Sequence, residues 1–91
     1  MILSSIIQRM EGIVQSEIDG ETVMMSIENG AYYGLDTIAS RIWTLIETPQ
    51  SAQTICDQLQ LEYEVDEDQC KDDVLYFINE MAEHNIIQVN A

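Results

Sequence analysis

Two dipeptides, Asp19-Gly20 and Asn29-Gly30, constrain the fold of this chain more than any other feature of it. Each accepts positive φ at the centre of a two-residue hairpin turn. They separate three runs, residues 12–18, 21–28 and 31–35, rich in the Ile, Val, Thr and Tyr that strands favour. Two tight hairpins in succession make a three-stranded antiparallel meander. With two-residue loops at both turns, Val14 stands opposite Met25, Ser16 opposite Val23, Ile27 opposite Tyr32, and Met25 also opposite Gly34. Directly opposed residues share a face. Val14, Ile18, Val23, Met25, Ile27 and Tyr32 then line one side, which reads as core. Ile13, Gln15, Glu17, Thr22, Met24, Ser26, Tyr33 and Leu35 line the other, which reads as mostly solvated. Tyr33 and Leu35 sit awkwardly there, so either a bulge shifts the register or another element covers that strand's second face.

Helical periodicity follows the meander. Asp36 or Thr37 can cap a helix whose apolar positions are Ile38, Ile42, Trp43, Leu45 and Ile46. Thr48-Pro49 ends it, because proline biases the preceding residue out of the helical region. Ser51 can cap a second helix carrying Ala52, Ile55, Cys56 and Leu59 at helical spacing, and residues 61–65 form a connector. The third helix has the strongest start signal. Asp66 with Gln69 resembles a capping box, Val65 with Cys70 is placed as a hydrophobic staple, and three acids suit the positive helix end. Its inward stripe is Cys70, Val74, Phe77, Ile78 and Met81, and Asn85 fits a left-handed C-terminal cap. Residues 86–89 read as a short strand or a tail, and residues 1–10 as either helix or strand. The whole is one α+β domain over residues 1–91, a three-stranded antiparallel sheet followed by three helices. That order suggests a winged helix-turn-helix.

Charge removes the usual partner of such a fold. Seventeen Asp and Glu against three Lys and Arg give a net charge of −14. Duplex binding needs basic groups to displace condensed counterions, so nucleic acid is excluded. An anionic membrane surface is repelled by the same field. A basic or neutral protein or peptide is what this field would draw in, although acids also simply keep a small apolar chain soluble. Hydrophobic residues make up 46% of the chain, enough for it to fold. Cys56 and Cys70 are too few for a disulfide scaffold and too far apart for a metal knuckle, and read as reduced thiols of a cytoplasmic protein. Polar residues interrupt Ile2, Leu3, Ile6 and Ile7, which argues against a signal peptide, and no run approaches membrane-spanning length.

A catalytic reading finds little support. His84 is the lone histidine and sits where an imidazolium would complement a helix C-terminus. Cys70 and His84 lie roughly 21 Å apart along one helix at 1.5 Å per residue, so they cannot form a nucleophile–base pair. Cys56 with His84 is geometrically open, but nothing near Cys56 supplies the positive charge that activates a thiolate. Asp66, Glu67, Asp68, Asp72 and Asp73 are dense, yet no glycine-turned loop with alternating ligands accompanies them, so calcium is not indicated. No metal or other cofactor is expected.

Peptide binding has a positive case. The third strand, Ala31-Tyr32-Tyr33-Gly34-Leu35, can be a sheet edge. It carries none of the lysine, proline or inward charge that usually blunts an edge. An aromatic, uncharged edge with a glycine is suited to pairing with a guest strand. A further element of the chain, or a second copy of it, would serve to cover the same edge.

The run Gly30-Ala31-Tyr32-Tyr33-Gly34-Leu35-Asp36, then Ile42-Trp43-Thr44-Leu45-Ile46, resembles the PqqD-like proteins. Asp73-Val74, Phe77-Ile78, Met81 and the closing Ile86-Ile87 extend the likeness over roughly residues 11 to 89. Each motif alone is weak; their order and spacing make the match specific. The resemblance implies a winged helix-turn-helix that recognises the leader of a ribosomally made, post-translationally modified peptide. The leader would pair as an antiparallel strand along Ala31, Tyr32, Tyr33, Gly34 and Leu35. Asp73, Tyr76, Phe77 and Glu80 of the third helix would face it, giving an apolar pocket with acids for a basic leader residue. Leu35, Ile42, Trp43 and Val74 match structural positions. Stand-alone length and the Tyr-Tyr-Gly-Leu and Ile-Trp motifs resemble the branch serving lasso-peptide biosynthesis, where the partner is a cysteine protease. The pyrroloquinoline quinone branch, which serves another modifying enzyme, is the nearest alternative, and a helix-turn-helix regulator acting through protein contacts is a rival from another class. Ala39 and Asn85 stand where many relatives carry glycine.

Overall fold

The computed structural model describes residues 4–90. Ile2 and Leu3, which enter the reading of the N-terminal segment, lie outside them. The element order is β1 (Ile6–Arg9), β2 (Ile13–Ile18), β3 (Glu21–Ser26), β4 (Ala31–Gly34), α1 (Thr37–Leu45), β5 (Gln50–Ser51), α2 (Ala52–Glu62), α3 (Glu67–Glu83) and β6 (Ile87–Asn90). The strands form two antiparallel three-stranded sheets, β2-β3-β4 and β5-β1-β6. The first is the anticipated meander. The second was not foreseen as a sheet: it joins the ambiguous N-terminal segment to residues 87–90 and to two residues before α2.

The first hairpin is as its dipeptide dictates. Ile18 pairs with Glu21, and Asp19 and Gly20 both take positive φ, at 53° and 83°. The second departs from expectation. Ser26 pairs with Ala31 across a four-residue connection in which the Gly30 N–H donates to the Ser26 carbonyl at 2.8 Å and Gly30 takes φ 65°. Tyr32 therefore faces Met25, not Ile27, and Gly34 faces Val23, not Met25. A shift of two residues leaves every side chain on its original face.

Which face is buried is the larger correction. Met24, Thr22, Ser26 and Leu35 are buried, while Val14, Ile18, Ile27 and Tyr32 are exposed. The side expected to be solvated packs under the helices. The side expected to be core faces out. Polar groups are bonded at the inner face: Ser26 Oγ accepts from the Asn29 N–H, and the Thr22 backbone N–H donates to Ser40 Oγ, whose hydroxyl donates to the Leu35 carbonyl. The cover over the last strand's second face is the helical layer, and no bulge is involved.

The helices follow their local signals. Asp36, Ser51 and Asp66 each accept from the backbone N–H three residues on, at Ala39, Thr54 and Gln69. The capping box at α3 is only half made: Asp66 accepts from the Gln69 N–H, but the Gln69 side-chain amide turns onward and donates to Asp73 at 2.9 Å. Helix α2 runs to Glu62, so Leu61 and Glu62 are helical rather than connector. Helix α1 stops at Leu45, ahead of the expected Thr48-Pro49 boundary. Asn85 takes φ 58°, and the Ile86 N–H donates to the Met81 carbonyl, closing α3 with the left-handed cap its sequence suggested.

One core joins these layers, with Ile7, Met24, Leu35, Ile42, Trp43, Ile55, Leu59, Val74, Ile78 and Ile86 among its members. At the junction of the two sheets Arg9 of β1 lies 4.2 Å from the Trp43 ring centroid and donates to the Trp43 carbonyl. Trp43 Nε1–H in turn donates to Gln15 Oε1 of β2 at 2.6 Å. Burial pulls the Arg9 guanidinium below its ordinary pKa, partly offset by Glu47. No described helix is long and apolar enough to cross a membrane.

Candidate functional site

Strand β4 is an edge of its sheet, since it pairs with β3 alone. The Leu35 N–H donates to the Thr22 carbonyl at 2.9 Å, which sets the alternation of the ladder. Ala31, Tyr33 and Leu35 therefore direct their backbone groups toward β3, and Tyr32 and Gly34 direct theirs to the open edge. The side chains alternate in the other sense: Tyr33 and Leu35 point in, and Tyr32 points out and is 73% exposed.

Beside this edge runs a groove of roughly 400 Å³ between β4, α1 and α3. Tyr33, Gly34, Leu35, Asp73, Tyr76, Phe77 and Glu80 all line it. Of the nine residues singled out in the sequence, Ala31 and Tyr32 are the two that do not. Tyr32 reaches the edge through its main chain only.

Sequence reasoning missed the third wall, made by Asp36, Ile38, Ala39 and Ile42, and the far end, made by Met81 and His84. A signal for the wall was present: Ile38 and Ile42 are one helical turn apart and so share a face. Ala39 lies in this wall. Nothing in the sequence announced His84, because its placement depends on a contact with Asn29, 55 residues away.

That contact lies at one end of the groove. Asn29 Nδ2–H donates to the His84 carbonyl at 2.7 Å, and the Tyr33 and His84 rings lie 5.0 Å apart, tilted by 47°. The turn after β3 is thereby tied to the C-terminus of α3. Asp73 lies toward the opposite end, roughly 16 Å from His84 at 1.5 Å per helical residue. Acids dominate the rim: Asp36, Asp73 and Glu80 line the groove, with no Lys or Arg among the lining residues. Tyr76 is exposed, and its hydroxyl donates to Glu80 Oε1 at 3.1 Å. That bond to a carboxylate raises the phenol's pKa.

The groove can bind an extended segment through two backbone residues, an apolar floor and a negative rim. It holds no reactive constellation. Cys56 lies elsewhere, buried against α3, where the Cys70 thiol is 3.7 Å from the Cys56 carbonyl. Burial pushes the Cys56 thiol up to about 11, the opposite of what a nucleophile needs. Among the described residues no group of three or more His, Cys, Asp or Glu is placed to hold a metal ion.

Comparison with known proteins bears on the family and the fold. Residues 21–87 match the sequence profile of PqqD, coenzyme PQQ synthesis protein D. No curated protein matches the chain. Among solved structures, TbiB1 in complex with the TbiA(beta) leader peptide superposes with a TM-score of 0.82 at 31% identity, covering 89% of this chain and 94% of that one. A lasso peptide synthetase B1 complexed with its leader peptide superposes with a TM-score of 0.80 at 20% identity, covering 90% of this chain and 96% of that one, and bears on the fold alone.

Proposed function

The chain belongs to the PqqD family, and from that premise we propose that it captures a precursor's leader as a guest strand along β4 and hands the attached core peptide to a processing enzyme. It is a leader-peptide recognition element, a binding protein and not an enzyme. The observation that carries the mode of binding is the open edge of β4 lying against a groove with an apolar floor and an acidic rim. Tyr32 and Gly34 supply backbone donors and acceptors, as strand addition requires. Tyr33, Leu35, Phe77 and Tyr76 receive alternate guest side chains. Asp36, Asp73 and Glu80 receive a basic one.

An antiparallel guest runs opposite to β4. Its N-terminal half therefore lies by Gly34 and Asp73, and its C-terminal end leaves past Ala31 at the Asn29–His84 tie. A leader precedes its core peptide, so the core emerges at that end. Ordering a disordered leader costs free energy, so affinity depends on how well the apolar floor is filled.

The enzyme served is the leader protease of lasso-peptide biosynthesis in the reading that the likeness to TbiB1 favours. The match to coenzyme PQQ synthesis protein D favours a second reading, service to a modifying enzyme of that pathway. In both, the order of elements is read as a winged helix-turn-helix turned from DNA to peptide by its charge, in a cytoplasmic protein. Isothermal titration with the leader encoded beside this chain tests the proposal. A single site with micromolar or tighter affinity is expected, and no heat at tens of micromolar overturns it. Binding a lasso-type leader and not a quinone-type one selects the branch.

A further inference from the structure

The outward face of the β2-β3-β4 sheet has no partner among the described residues. Val14 pairs with Met25, and Met25 with Tyr32, so these three make one cross-strand row on that face. Val14 is 48% exposed and Tyr32 73%. Ile18, at 57%, continues the apolar surface along β2, and Ile27, at 64%, stands at the turn beside the row. A contiguous, partly exposed apolar surface spread over three strands is the kind of patch that marks a site of association. We propose that this face docks the enzyme that processes the core peptide, through an apolar patch on that enzyme set in a basic surround. The inference rests on the reading of β4 as the leader's pairing strand.

Two observations choose this occupant. The first is charge. None of the chain's three cations serves the face: Arg9 is packed on Trp43, Arg41 is paired with Glu62 at 2.6 Å, and Lys71 belongs to α3. Asp19 and Glu28, on the two turns that frame the sheet, and Glu21, at the start of β3, are exposed. A second copy would bring two chains of −14 together with no cation from either across the contact. A basic rim on a different protein is complementary, and complementarity of this kind speeds encounter and excludes wrong partners.

The second is continuity. A guest added to β4 extends the same sheet, and its alternate side chains point outward beside Tyr32. The outer row then runs Val14, Met25, Tyr32 and guest without a break. The core peptide leaves by the turn that carries Ile27. An enzyme seated on this face reads leader and carrier together and has the emerging core peptide beside it.

The test uses the full chain, its leader and the purified processing enzyme encoded beside it. The double variant Val14→Ser with Ile27→Ser removes two exposed apolar side chains that do not line the groove. Its leader affinity, by titration, should stay within twofold of the parent. Its affinity for the enzyme, by biolayer interferometry with and without leader, should fall at least tenfold. Glu21→Gln with Glu28→Gln should weaken enzyme binding at low salt and less at high salt. Unchanged enzyme affinity in the Ser double variant overturns the proposal, and so does an equal loss of leader affinity. A parent chain that sediments as a dimer, with the variant monomeric, overturns it in favour of a second copy. Absence of leader binding by the parent with enzyme binding intact would fault the reading of β4 and not the docking face.

Discussion

The two faces of the β2-β3-β4 sheet carry similar numbers of apolar residues and have opposite fates. The inner face holds Ile13, Met24, Tyr33 and Leu35 alongside Thr22, Ser26, Gln15 and Glu17. The outer face holds Val14, Ile18, Val23, Met25 and Tyr32 with only Ser16 and Glu21 as polar residues, yet Val14, Ile18 and Tyr32 are exposed there and Val23 and Met25 half-buried. A count of hydrophobic side chains would bury the outer face. Partners decide otherwise, because α1 meets the inner face through the Ser40 bonds to Thr22 and Leu35 and through Trp43 on Gln15. Each inner polar group bonded in this way avoids the penalty that an unsatisfied buried group would carry. The exposed apolar face then needs a reason outside the chain, which makes it informative about association rather than about folding.

The sharpest way to break this comparison is the same substitution at adjacent residues. Met24→Ala empties a fully buried site and should destabilise by about 2–5 kcal/mol, whereas Met25→Ala, half-buried on the other face, should cost about 1 kcal/mol or less. Thermal melts followed by circular dichroism separate the two, and equal losses would return the outer face to the core. Next in size is a loss of function without a loss of fold. Tyr76→Ala removes an exposed aromatic from the groove rim and should weaken leader binding by roughly tenfold, as truncation of an interface aromatic does, with an unchanged melting temperature. A wild-type titration curve would place the leader away from α3.

The edge between the two faces offers a finer test. Tyr32→Pro deletes a backbone N–H that points to the open edge, so the sheet keeps its own ladder while a guest loses one bond. One hydrogen bond of about 1 kcal/mol corresponds to roughly a fivefold weaker titration. No change would mean that the guest does not pair through Tyr32. The smallest effect belongs to a control remote from both faces. The Arg41 guanidinium, bonded to Glu62 at 2.6 Å and 2.7 Å, holds that carboxyl at about 2, below its ordinary 4.5. A lowered folded-state value means that the pair's contribution is complete above pH 4.5 and is lost as pH falls toward 2. The pair is partly solvated, so its contribution is small. Glu62→Gln should narrow the difference in melting temperature between pH 6 and pH 3 only slightly, with no change in leader binding at pH 7.

Much of the candidate site was legible before the structure, and for a local reason. The residues 31–36 motif and the stripe of α3 are short patterns, and the groove unites Tyr33, Gly34, Leu35, Asp73, Tyr76, Phe77 and Glu80 from them. Its remaining wall, Asp36, Ile38, Ala39 and Ile42, depends on how α1 crosses the sheet. Its far end depends on Asn29 meeting His84. Neither is a property of adjacent residues. The second sheet was illegible for the same cause: Gln8 and Asn90 meet across 82 positions with no turn dipeptide between their strands to announce the pairing.

The sequence by itself determined the capping residues Ser51 and Asp66, the cap of α1 to within Asp36 or Thr37, the positive φ of Asp19, Gly20, Gly30 and Asn85, the helical stripes and the absence of a blunting residue on β4. These are torsional and short-range hydrogen-bond preferences, set within about one turn of chain. Only the tertiary structure decided the register of the second hairpin, which face of the meander is covered, and that the two ends of the chain pair. Those outcomes turn on which surfaces the helices can bury together while buried polar side-chain groups, Arg9 Nε excepted, find partners. The edge of β4 was readable as undefended. That it opens onto a groove, with a bare apolar face behind it, follows only from where α1 and α3 come to rest.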